Sequence, residues 1–195
     1  GMSANAFAER LIKVATEPTF PPFEFVNTQT GEVSGFEMDL VRAVGKELGA
    51  KIEFQVLSFD AIIPAMLSGT VEMGAAGFSI TEERKKTWDF STPYYTDYVS
   101  VLVEDSTGIK GLADLKDKVV GVSSGSTSAR ALVKAMIDEG VLDGANFDAD
   151  TFNADTWKDG ISFRQYDDYP AISTALSAGE VQGFCVDKSI LAIYK

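Results

Sequence analysis

"FDAIIPAMLSGTVEMGAAGFSITEERKK", residues 59–86, decides the fold. Asp60 can cap a helix that runs to Ser68, Gly69 closes it, and "VEMGAAG" then reads as a buried strand interrupted by small residues. Pro64 is expected early in that helix, where a missing N–H costs least. A second, short helix begins after the strand. Ser79 or Thr81 is its cap, and Glu82 and Glu83 fill a first turn whose dipole favours acids. Arg84 follows at N3 if Thr81 is the cap, against that preference. A guanidinium beside a helix start makes sense where both serve one anion, since free N–H groups and a planar fork can grip one carboxylate together. Open α/β sheets bind ligands at the carboxyl ends of their strands, which is where this turn falls.

Working outward, "LIKVA" and "KIEFQV" alternate as strands, and residues 37–48 between them place Leu40, Val41, Val44 and Leu48 at helical spacing, with Gly49 as the C-cap. Downstream the order repeats: "KVVGV" as strand, residues 127–138 as helix with Gly140 behind it, "ISFRQY" as strand, residues 170–178 as helix, "VQGFCV" as strand. Two successive β-α-β-α-β runs imply two α/β lobes, each a mainly parallel sheet flanked by helices. "LSGTVEMG" at 67–74 is echoed by "LSAGEVQG" at 176–183, which places equivalent strand ends in both halves. "DYVSVLVEDS" reads as an extended crossing segment, and Trp88, Phe90, Tyr94 and Tyr95 as core and hinge packing. Residues 141–160 read as a polar surface excursion; their Asp and Asn residues lack the regular order of a calcium loop, so no metal is expected.

Composition narrows the function. With 45% hydrophobic and 24% charged residues the chain is expected to fold, yet its apolar runs are broken by charge well before a membrane span is reached. A net charge of −12 argues against nucleic acid as a partner. The one cysteine, Cys185, cannot form an internal disulfide and reads as a buried small hydrophobe. The chain has no histidine, which removes the usual general base and the commonest metal ligand, so neither catalytic residues nor a cofactor are expected. Gly1 ahead of Met2 resembles the remnant of tag cleavage, and the residues before Leu11 carry neither the charged nor the apolar region of an export signal.

"VATEPTFPPFEF", "GFEMDLVRAVGKELG", residues 59–95, "LADLKDKVVGVSSGSTS" and "YPAISTALSAGEVQGFCVD" together resemble the extracytoplasmic amino-acid-binding proteins of ABC importers, solute-binding protein family 3. The resemblance runs from Leu11 to Asp187. It implies a two-lobed periplasmic-binding-protein-like fold with two crossing segments as hinge. Residues 1–95 would form the first part of lobe 1, 96–187 lobe 2, and 188–195 the start of a segment after the second crossing. It further implies capture of a free L-amino acid in the cleft between the lobes and its delivery to a membrane permease, on the periplasmic or extracellular face, with lipid anchoring left open.

Carried over residue by residue, Arg84 would clamp the α-carboxylate, helped by Ser79 and the backbone at Gly77, and Thr127 would add an N–H and a hydroxyl. Asp187 would accept the α-ammonium, and Phe20 and Phe59 would sandwich the side chain, although ordinary core packing is the alternative for each ring. Glu17, three residues before Phe20, would reach the distal end and favour a polar or basic tip such as glutamine or arginine; a solvated loop carboxylate is its alternative. Family members usually continue for about 40 residues beyond this point by domain size, so lobe 1 is expected to be completed by a further segment or by a second chain through swapping or assembly. Two other functions fit the same fold: a ligand-binding sensor domain, and a dehydratase-type enzyme with Glu17 or another carboxylate as its acid.

Overall fold

The computed structural model describes residues 9–195, so the reading of Gly1 and Met2 lies outside the described residues. β1 (Arg10–Thr16) is the middle strand of a sheet ordered β5-β1-β6, and its last three residues are all buried, as expected of a strand covered on both faces. A small antiparallel sheet follows, built from β2 (Thr19–Phe20), β3 (Glu24–Val26) and β4 (Val33–Ser34). α1 (Phe36–Glu47) turns Met38 and Val41 onto a core that holds Ile12, Val14 and Ala75. β5 (Ala50–Val56) pairs in parallel with β1, Thr16 opposite Val56, and after α2 (Phe59–Leu67) the strand β6 (Met73–Gly74) pairs in parallel on the other side of β1.

After β6, the short α3 (Glu82–Lys85) precedes β7 (Val99–Leu102), β8 (Val119–Ser123), α4 (Ser128–Asp138), β9 (Ser162–Tyr166), α5 (Tyr169–Ser177), β10 (Gly183–Asp187) and α6 (Lys188–Leu191). Their sheet is ordered β7-β10-β8-β9, with β7 antiparallel to β10 and the other pairs parallel. Its core gathers Val120, Val122, Leu132, Met136, Phe163 and Cys185, the last fully buried as expected. The chain divides into two compact units, residues up to Gly77 and residues from Phe78 onward, each with its own mainly parallel α/β sheet.

Several local expectations are corrected. α2 is capped by Ser58 rather than Asp60, which falls in the first turn and accepts a 2.9 Å bond from the Ser58 hydroxyl. Pro64 is the sixth of nine helical residues, so it removes an interior N–H rather than a terminal one. The strand read over "VEMGAAG" shrinks to two paired residues; the Ala75 N–H still bonds to the Ala15 carbonyl at 2.9 Å, and the backbone then turns through a left-handed Gly77. The excursion at 141–160 is polar only in composition: Phe147, Phe152 and Trp157 form a ring cluster with centroids 5.4–6.1 Å apart that packs on the second core. Tyr94 and Tyr95 are exposed rather than core, whereas Trp88 and Phe90 are half-buried against each other. Among the described residues no acidic or sulfur cluster could hold a metal ion, and no helix is long and apolar enough to cross a membrane.

Candidate functional site

In the first unit the parallel register brings the carboxyl ends of β1, β5 and β6 to one sheet edge. Glu17 follows β1 directly, Phe59 opens the helix after β5, and Gly77 ends the segment after β6, so the topology gathers three of the four expected residues there. Glu17 is 7% exposed, and the Thr19 hydroxyl donates to both of its carboxylate oxygens at 2.8 Å, so it is a held side chain and not a solvated loop acid. Phe20 and Phe59 are buried. Gly77 has φ +66°, and a Cβ there would stand 2.6 Å from the Phe20 ring, so both the turn and the ring require glycine.

Two residues that pattern reading missed sit beneath this edge. Glu24 and Glu37 are fully buried, and the Gly77 N–H donates to Glu37 Oε2 at 2.9 Å. Neither carboxylate oxygen of Glu24 has a hydrogen-bond partner among the described residues. Burial first, and then the neighbouring Glu37 and Glu17 carboxylates, hold the Glu24 carboxyl well above its ordinary range. An acid in the first turn of α1 looks in sequence like ordinary dipole matching, which hid the pair.

In the second unit Thr81 caps α3, its hydroxyl oxygen accepting from the Arg84 N–H at 3.1 Å, as one of the two expected caps. Arg84 is 8% exposed, so its side chain turns inward while Lys85 and Lys86 stay exposed. Its Nη1 donates to the Ser79 carbonyl at 2.9 Å and its Nη2 to the Gly125 carbonyl at 3.1 Å, and the guanidinium carbon lies 5.2 Å from the centre of the Phe78 ring. Burial, with the Arg130 charge adding to it, lowers the Arg84 pKa to about 10, and it stays protonated at neutral pH. The bond to Gly125 ties Arg84 to the loop that ends at Thr127, which caps α4 without a side-chain cap bond. Ser79 itself is exposed and meets Arg84 through its backbone.

Asp187 ends β10. Phe184 pairs with Gly121 in parallel, so three residues further Asp187 is level with Ser124, on the sheet edge that carries the 124–127 loop. Burial first, and then the Asp97 carboxylate, push the Asp187 pKa up to about 6. Asp97 is fixed by the Tyr98 N–H at 2.8 Å and the Ser189 N–H at 3.3 Å. Arg84, through its bond to the Gly125 carbonyl, and Asp187, at the end of β10, thus both relate to the loop that follows β8.

Two parallel α/β sheets with polar groups gathered at their strand ends define a two-lobed ligand-binding fold. The chain belongs to the bacterial extracellular solute-binding proteins, family 3, whose model matches residues 12–146, a span that includes every expected site residue except Asp187. It is 37% identical over 133 residues to the putative ABC transporter arginine-binding protein 2 of Escherichia coli K12, covering 68% of this chain and 54% of that protein. The chain spans about half the length of the curated relatives it matches. Among solved structures, an ancestral arginine-binding protein bound to arginine superposes with TM-score 0.77 at 37% identity, covering 94% of this chain and 73% of that one. The ancestral amino-acid-binding protein AncCDT-1, a precursor of cyclohexadienyl dehydratase, reaches TM-score 0.74 at 30% identity, with 94% and 73% covered.

Proposed function

We propose that the chain binds a free L-amino acid with a polar or basic side chain in the cleft between two lobes and delivers it, outside the cytoplasm, to the permease of an ABC importer. Functionally we divide it at residue 95, with residues 1–95 in lobe 1 and 96–187 in lobe 2. The observation that carries the reading is Arg84, a nearly buried guanidinium aimed inward at the start of a short helix and braced by two backbone carbonyls. A planar fork beside a helix start suits a carboxylate, which it can grip through two hydrogen bonds. Arg84, Ser79, Gly77 and Thr127 take the α-carboxylate, Asp187 takes the α-ammonium, Phe20 and Phe59 flank the side chain, and Glu17 meets its distal end. The held carboxylate of Glu17 favours arginine or glutamine, and relatives described as binding arginine support that choice.

Binding proceeds without turnover. The likeness to AncCDT-1 favours one second reading, a dehydratase with Glu17 as acid, for which release of product from a cyclic acid is the diagnostic. A thermal-shift panel of the common amino acids tests the first reading, since a ligand of the native state raises the melting temperature with concentration. L-Arginine or L-glutamine is expected to give that rise. Arg84→Ala is expected to lose it while still melting cooperatively; an undiminished shift in that variant excludes the assigned carboxylate clamp.

A further inference from the structure

We propose that Glu37 is a positioning residue that fixes the Gly77 turn against Phe20 and so shapes the ligand site from beneath. The inference deepens the amino-acid-binding reading and takes from it the assignment of Gly77 and Phe20 to the ligand.

Three parts of the first unit converge on Glu37. Its own N–H donates to the Phe23 carbonyl at 2.9 Å, and the preceding Phe36 N–H donates to the Pro22 carbonyl at 3.0 Å, so the start of α1 is docked on the loop between β2 and β3. Gly35, which caps α1 at φ +121°, has no room for a Cβ against Phe23, so that docking is close enough to demand glycine. The Glu37 side chain then reaches across to the Gly77 N–H at 2.9 Å, forty residues away in sequence. Gly77 in turn lies against the ring of Phe20. One carboxylate therefore couples the loop carrying Phe20, the start of α1 and the turn after β6.

The Glu37 carboxylate accepts the Gly77 N–H at full burial, and Glu24 beside it has its carboxyl raised well above the ordinary range by burial first and then by Glu37 and Glu17.

Glu37→Leu removes the acceptor and Glu37→Gln restores a neutral one. Two readouts are taken on the full chain: the Gly77 amide by proton–nitrogen correlation and hydrogen exchange, and affinity for L-arginine by calorimetric titration. In the wild type the Gly77 amide is expected to be protected. In Glu37→Leu exchange should quicken and arginine affinity fall, each about tenfold for one lost hydrogen bond, with both recovered in Glu37→Gln. If Glu37→Leu does not fold, the wild type decides, and a Gly77 amide that exchanges as fast as an unprotected one overturns the proposal. A Gly77 amide indifferent to Glu37→Leu overturns it too. A wild type with the expected amide behaviour that binds no amino acid overturns the functional reading instead.

Discussion

Asp187 shows how one residue can set opposite pH dependences for the empty and the occupied protein. Its carboxyl is pushed up to about 6, chiefly by burial and then by Asp97, so the folded, empty chain holds this proton more tightly than the unfolded chain does. The stability tied to it is present at low pH and declines as pH rises through about 6. An ammonium partner needs the ionised form, so a ligand must displace that proton once the pH drops below this value. Affinity for L-arginine is expected to fall as pH drops below about 6, approaching tenfold per unit for one displaced proton. Asp187→Asn should bind weakly and lose this acidic limb, while Asp97→Asn, by removing the neighbouring charge, should move the limb to lower pH. Calorimetric titrations across the range check both, and a limb that persists in Asp187→Asn refutes the assignment of the ammonium to this carboxylate.

Among the elements, what was legible in sequence is what local chemistry determines. The two echoed segments end their helices alike: the Gly69 N–H donates to the Met66 carbonyl and that of Thr70 to Ala65, and the Gly179 N–H donates to Leu176 and that of Glu180 to Ala175. Glycine at positive φ closes each, a conformation that needs only a few neighbouring residues to be specified. The small sheet of β2, β3 and β4 escaped notice because strands of two or three residues show no period. The ring cluster of Phe147, Phe152 and Trp157 was hidden among acids, and the Glu24–Glu37 pair depends on a meeting of β3 with α1 that no local window contains. For the candidate site, position at the strand ends could be read, but the partners of each side chain could not. Caps offer a direct test of the local part. Asp168 accepts from the Ala171 N–H at 2.9 Å at the start of α5, whereas Ser58 makes no side-chain cap bond at the start of α2. Asp168→Ala should therefore cost about 1 kcal/mol of stability and Ser58→Ala clearly less, as judged by urea unfolding; equal losses contradict the capping assigned to α2.

At the scale of the whole molecule the net charge of −12 acts on any ligand that carries charge of its own. A chain this acidic draws a cation inward over distances set by the ionic atmosphere and leaves a net-neutral zwitterion unaffected at long range. Arginine and glutamine share the α-ammonium and α-carboxylate and differ in the charge of the side chain, so comparing them separates the field of the whole protein from the contacts assigned to Arg84 and Asp187. Raising ionic strength from about 0.01 M to about 1 M shrinks the screening length from about 30 Å to about 3 Å. The association rate for L-arginine, followed by stopped-flow fluorescence, is expected to drop several-fold over that range, while the rate for L-glutamine changes little. The dissociation rates of both should respond weakly, because they depend on buried pairs that salt screens poorly. Equal salt responses of the two association rates would mean that the overall charge plays no part in capture, and that its place in this protein is solubility alone.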